Sequence, residues 1–189
     1  VQFAVIGLIV GTIVGCVVAL CSWFATFLQS LFGGPMIMLY SVPLVAIVPI
    51  LARVFGYSRT TEVLIAALVS MFPTFVLVSA GLRAVPAGAN DLFTAMGTSK
   101  AKRLRYLAIP SAVPNFLTVV RLTSSVAFVA AILGEYLTGQ AGLGWMFALA
   151  NGAQDMPRAW GAAVIIVLLS VLTYMAFSKA EEVGQKRVL

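Results

Sequence analysis

This 189-residue chain holds six carboxylates, Glu62, Asp91, Glu135, Asp155, Glu181 and Glu182, and no histidine. General acid–base or nucleophilic catalysis needs partners within reach of one another, and the sequence displays neither paired carboxylates nor a nucleophile–base set. A G-x-x-x-x-G-K-S/T phosphate loop is absent too, so the chain does not bind ATP in that mode. Cys16 and Cys21 lie in or beside an apolar run without metal-ligand spacing and read as small buried hydrophobes. The chemistry left is recognition. One charge-dense segment stands out: Asp91-Leu92-Phe93-Thr94-Ala95-Met96-Gly97, a basic run of Lys100, Lys102, Arg103 and Arg105, then Ile109-Pro110.

Local rules give that segment a shape. Proline suits the first turn of a helix, so Val85-Pro86 reads as a helix start. Ala89, Leu92, Phe93 and Met96 then recur at helical spacing and form one apolar stripe. Asp91 falls off the stripe, near the positive end of the helix dipole. Gly97 sits where a left-handed cap belongs. Thr98 or Ser99 caps a second helix, Lys100 to Ile109, which Pro110 separates from the next apolar span. The basic face suits anionic lipid, whereas an apolar stripe asks for other helices or a partner's groove.

The elements that must position this segment are apolar. Hydrophobic residues make up 61% of the chain and charged ones 10%, with no charge from Val1 through Ala52. Crossing a bilayer takes about 20 apolar residues. The fold class is therefore all-α: a polytopic transmembrane helical bundle, its apolar runs continuous rather than alternating as in a barrel. Five spans are expected: Val1 to Leu20 with apolar sequence on to Leu28, Met36 to Phe55, Val63 to Gly81, Ala112 to Leu133, and Gly161 to Phe177. Gly33-Gly34-Pro35 is expected to break the first run. Gly7, Gly11 and Gly15 form either a close-packing face or glycines merely tolerated in lipid. Pro43 and Pro49 should kink or break the second span, which makes it a pathway-lining element or a kinked helix packed on neighbours.

A central loop within 82–111 and an outer loop within 134–160 join these spans into one domain over 1–189. With alternating sides, the central loop and tail share Arg83, Lys100, Lys102, Arg103, Arg105, Lys179, Lys186 and Arg187. The opposite side has Arg53, Arg59 and Arg158. The positive-inside rule puts the central loop and C-terminus in the cytoplasm. Arg121 is left over and reads as a snorkelling side chain. The net charge of +6 is thus an orientation signal rather than a sign of nucleic acid.

The order Asp91-x-x-x-x-x-Gly97 … Ile109-Pro110 resembles the E-A-A-x-x-x-G … I-x-L-P loop of binding-protein-dependent ABC transporter permeases. Gly81-Leu82-Arg83-x-Val85-Pro86, Pro43, Pro49, Pro110-x-x-x-Pro114 and Arg121 fit the same pattern. Gly134-Glu135 and Gly142-Leu143-Gly144-Trp145 resemble the outer loop of the nitrate/sulfonate/taurine-type branch. Asp91 replaces the usual Glu, Leu92-Phe93 replace two alanines and make the loop helix bulkier, and Ala108 stands near a usually larger apolar position.

The resemblance implies a permease subunit of an ATP-driven importer in a bacterial plasma (inner) membrane, with six spans in the full chain. The central loop becomes a coupling helix, with Asp91, Leu92, Phe93, Thr94, Ala95, Met96, Gly97, Lys100 and Arg103 facing a cytoplasmic ATPase. The implied partners are two ABC ATPase subunits, which carry ATP and Mg, a second permease copy or paralogue, an external solute-binding protein, and membrane lipid. No cofactor is expected in this chain. The solute would be small, such as nitrate, a sulfonate, taurine or a vitamin precursor. Ser41, Pro43, Pro49, Ser70, Ser79, Thr118 and Ser124 are candidates for the translocation path. Glu135 and Trp145 are candidates for an outer gate or docking point, against helix-end solvation and an interfacial belt shared with Trp160. A secondary transporter or channel would need an internal repeat and a membrane-embedded ion site. A membrane scaffold would use the 82–111 loop only to recruit a soluble partner.

Overall fold

The computed structural model describes the backbone of residues 2–188 and the side chains of residues 2–25, 27–38 and 40–182. The side chains of Lys186 and Arg187, part of the orientation count, lie outside the described residues. In chain order the helices are α1 (Gln2–Phe24), α2 (Thr26–Ser41), α3 (Leu44–Phe55), α4 (Arg59–Gly81), α5 (Ala89–Ala95), α6 (Lys100–Arg103), a π-helical turn (Leu104–Ala108), α7 (Ile109–Thr138), α8 (Leu143–Gly152) and α9 (Met156–Val188). No strand occurs among the described residues.

Among the described residues, four stretches are long and apolar enough to cross a membrane: Gln2–Phe24, Arg59–Gly81, Lys100–Thr138 and Met156–Glu182. The expected span Met36 to Phe55 is instead two short helices in series, α2 and α3. Gly33-Gly34-Pro35 does not break the chain; it lies inside α2. Pro35 deletes a single ladder bond there, which the helix survives. The break falls at Val42-Pro43, because the residue before a proline is driven out of the α region. Pro43 itself is extended, with φ −56° and ψ 126°. Ser41 Oγ donates back to the Ile37 carbonyl at 2.8 Å, as serine hydroxyls do within a helix.

Lipid is as apolar as the side chains, so helices associate in a membrane through close packing rather than through water release. Gly7, Gly11 and Gly15 show this on α1. A Cβ at Gly11 would sit 2.2 Å from the Ala67 carbonyl oxygen, and one at Gly7 2.5 Å from Ala66 Cβ. The glycines thus let α1 and α4 touch backbone to backbone. Gly81 does the same where α4 meets α7: a Cβ there would lie 2.9 Å from Ala112 Cα. Asn115 Nδ2 locks this crossing by donating to the Leu77 carbonyl at 3.1 Å. Phe75, Val78, Leu82, Ala108, Ala112 and Val119 form a buried cluster beside it. Of the two cysteines read as buried, Cys16 is half-buried and Cys21 is exposed. The many outward apolar side chains of α1, α3 and α9 suit a lipid surround, which puts no penalty on exposed Cys21.

Pro110 does not separate a loop helix from a span. Lys100–Thr138 is one helical stretch. A proline in a plain α-helix collides with the carbonyl four residues back, here that of Tyr106. That residue lies inside the π-helical turn Leu104–Ala108, whose wider winding removes the collision. The far loop is also more ordered than expected. Residues 143–152 are α8, and α9 begins at Met156, leaving two short connections within 134–160.

Arg121 does not snorkel. Its Nη1 lies 2.9 Å from Glu181 Oε2, and its guanidinium stands over the Tyr174 ring at 5.7 Å. Thr118 Oγ1 donates to Glu181 Oε1 at 2.8 Å. This polar group ties α7 to α9 within an otherwise apolar contact.

Candidate functional site: the loop helix, the cavity and the far-end ion cluster

The loop helix begins later than Val85-Pro86 suggests. Gly88 adopts φ +78°, a left-handed conformation that glycine enters without Cβ strain, and α5 follows from Ala89. Asp91 lies in its first turn. Its end is a Schellman motif: Gly97 has φ +65°, Thr98 N donates to the Phe93 carbonyl at 3.1 Å, and Gly97 N to the Thr94 carbonyl at 3.0 Å. Ser99 then caps α6, its Oγ accepting from Lys102 N. Arg103 Nη1 donates to Thr94 Oγ1 at 2.9 Å, a bond from α6 back to α5.

The apolar stripe divides in two. Phe93 is half-buried. Leu92 is 59% exposed and Met96 68% exposed, and they offer an uncovered apolar face at the tip. Asp91 and Ala95 are exposed beside them, as is Lys100.

The candidate path residues do not share one surface. Ser41 and Pro43 line a cavity of about 680 Å³ at the α2–α3 break. Tyr40 and Phe72 stack in its wall with ring centroids 4.5 Å apart. Ser79 lines a separate opening of about 500 Å³ with Gln29 and Arg83. Pro49 is exposed within α3. Ser70 and Ser124 are buried, their hydroxyls bonded to the Ala66 and Arg121 carbonyls at 2.8 and 2.7 Å. Thr118 is spent on Glu181.

At the opposite end of α4 and α7 lies an ion cluster that sequence reasoning missed. Arg59 Nη1 is 3.2 Å from Glu62 Oε2 and 3.9 Å from Glu135 Oε1. Arg59 Nη2 also donates to the Ala141 carbonyl, and its guanidinium lies 5.1 Å from the Phe3 ring centroid. Glu135 Oε2 accepts from Gly144 N at 3.0 Å. A Cβ at Gly142 would fall 2.2 Å from the Glu135 carboxylate, so glycine is what allows the α7–α8 connection to close over it. Arg59 and Glu62 stand three apart on one helix face, the only part of this cluster visible in sequence. Trp145, 37% exposed, sits in α8 beyond this connection.

The described residues hold no group of three or more metal-ligating side chains. The arrangement is that of a membrane-embedded bundle with an exposed apolar tip at one end and a buttressed loop at the other. Residues 7–179 match the family described as binding-protein-dependent transport system inner membrane component, and the chain belongs to that family. It is a permease component of an ABC importer, a multi-pass inner-membrane protein. It is 28% identical over 178 residues to the formylaminopyrimidine transport permease protein ThiX of Halalkalibacterium halodurans, covering 94% of this chain and 71% of that one. It is 30% identical to the taurine transport system permease protein TauC of Escherichia coli, over 73% of this chain and 51% of that one. In fold it is similar to the inward-facing MetNI methionine ABC transporter, with a TM-score of 0.78 at 15% identity over 97% of this chain and 91% of that one.

Proposed function

We propose that the chain forms part of the translocation path for a small solute of the nitrate, sulfonate, taurine or vitamin-precursor type. An external solute-binding protein delivers the solute, and a second permease copy or paralogue completes the path. Two cytoplasmic ABC ATPase subunits, which carry ATP and Mg, grip α5 and drive alternating access. The α5 end and the C-terminus face the cytoplasm, in keeping with their Lys and Arg content.

The observation that carries this reading is the exposed Leu92–Met96 face on a helix closed by a C-terminal cap. A seven-residue helix alone is unstable, yet this one is fixed by the Gly97 cap and by the Arg103–Thr94 bond. The chain from Lys100 to Thr138 is helical without interruption, so a push on α5 reaches the opposite end of the span. The contacts assigned to the ATPase are Asp91, Leu92, Phe93, Thr94, Ala95, Met96, Gly97, Lys100 and Arg103, with Phe93 acting from beneath. The solute path runs by the α2–α3 cavity, and the Glu135 connection supports the outer mouth.

Co-purification with the ATPase subunit tests the reading. The native chain should retain the ATPase in detergent, and a Leu92→Asp/Met96→Asp double variant should lose it while keeping its helical circular dichroism. Failure of the native chain to hold the ATPase would overturn the proposal.

A further inference from the structure

A second opening at the loop end has different chemistry from the solute cavity. It measures about 380 Å³ and is lined by Trp23, Phe24, Arg83, Asn90, Lys100 and Arg103 together with apolar residues. Three cations from α4's end and α6 thus border one small space. No carboxylate lines it, and among the described residues none of the three forms an ion pair. Arg83 donates to Gln29 Oε1 and Arg103 to Thr94 Oγ1, both neutral acceptors, so the charge stays uncompensated. Arg103 Nε is buried with no hydrogen-bond partner. A buried guanidinium donor without an acceptor is uncommon and calls for an absent acceptor group.

The position narrows the ligand. Trp23 and Phe24 end α1, and Gly81 ends α4; both helices are spans, so this opening lies at headgroup depth. Tryptophan concentrates at that level. Arginine forks fit phosphate oxygens, and basic pockets between spans on the cytoplasmic side hold anionic headgroups.

We propose that this cavity binds the phosphate of an anionic phospholipid, which clamps the root of α5 and α6 to the membrane. The proposal rests on the cytoplasmic placement of the loop but needs no ATPase, so the two readings fail separately. A phosphatidylcholine headgroup offers the same phosphate with its charge already compensated and binds less well.

The test measures radiolabelled lipid retained by the purified full chain after exchange into lipid-free detergent, with phosphatidylglycerol or phosphatidylcholine as probe. The native chain should retain phosphatidylglycerol roughly tenfold better. Neutralising one cation, as in Arg83→Gln, Lys100→Gln or Arg103→Gln, should lower retention about fivefold. The charge-keeping Arg83→Lys should retain more lipid than Arg83→Gln and less than the native chain, having lost the fork but not the charge, which separates charge loss from misfolding. Lys179→Gln, exposed on α9, should change nothing. Equal retention by the Arg83→Gln/Lys100→Gln/Arg103→Gln variant overturns the site. Displacement of the lipid by millimolar inorganic phosphate overturns the lipid assignment and leaves a free-anion site.

Discussion

The guanidinium of Arg59 stands between two carboxylates on different helices, 3.2 Å from Glu62 Oε2 and 3.9 Å from Glu135 Oε1. Glu62 is fully buried and Glu135 nearly so, while the Arg59 side chain is 35% exposed. Removing the cation leaves two buried carboxylates facing each other, and breaking a buried pair costs about 3–5 kcal/mol. Solvent access to Arg59 puts the loss at the lower end of that range. Arg59→Gln should therefore lower the thermal unfolding midpoint in detergent, and a further Glu135→Gln should recover part of it. An unchanged midpoint in Arg59→Gln would show that the cluster contributes nothing to folding.

Two glycines in similar helical sequence should respond oppositely to a single methyl group. Gly11→Ala drives a Cβ to 2.2 Å from the Ala67 carbonyl, which is backbone and cannot swing aside. It should separate α1 from α4 and sharply reduce the yield of folded protein. Gly34 lies inside α2 with nothing within 4 Å of its added Cβ. Gly34→Ala should be neutral or raise stability by up to about 1 kcal/mol through helix propensity. Unfolding midpoints of the two variants decide the matter, and equal effects would refute the packing argument.

The Gly97 cap gives a third test. A β-branched residue forced to φ +65° costs about 1–2 kcal/mol. Gly97→Val should loosen the Schellman turn, which hydrogen exchange reads as faster exchange of the Gly97 and Thr98 amides. Gly97→Asn, more tolerant of left-handed backbone, should exchange more slowly than Gly97→Val. The cap would be dispensable if both variants matched the native chain.

Much of this architecture was legible in the residues because it depends on local rules. The Gly97 cap, a cap at Thr98 or Ser99 and the long apolar runs need only short stretches of sequence. The split of the Met36 to Phe55 run at Pro43 was half visible: proline announced a break but not that the helix would survive Pro35 and yield at Val42. The continuous helix through Pro110 was hidden, since a π-helical turn leaves no periodic signature over five residues. The pairs Arg59–Glu135 and Arg121–Glu181 were out of reach for another reason. They join residues far apart in the chain, and only the packing of α4, α7 and α9 brings them together.

The π-helical turn Leu104–Ala108 also sets an angular offset. It behaves as one extra residue wound into an otherwise regular rod, and each residue of an α-helix turns it by about 100°. The basic side chains before it and the span residues after it therefore follow separate clocks along a single axis. Deleting one residue between Leu104 and Ala108 would wind the stretch as plain α-helix, bring the two clocks into step and set the Pro110 ring against the carbonyl four residues back. The surplus residue is thus slack in the winding, and it lets a proline ride inside an unbroken rod.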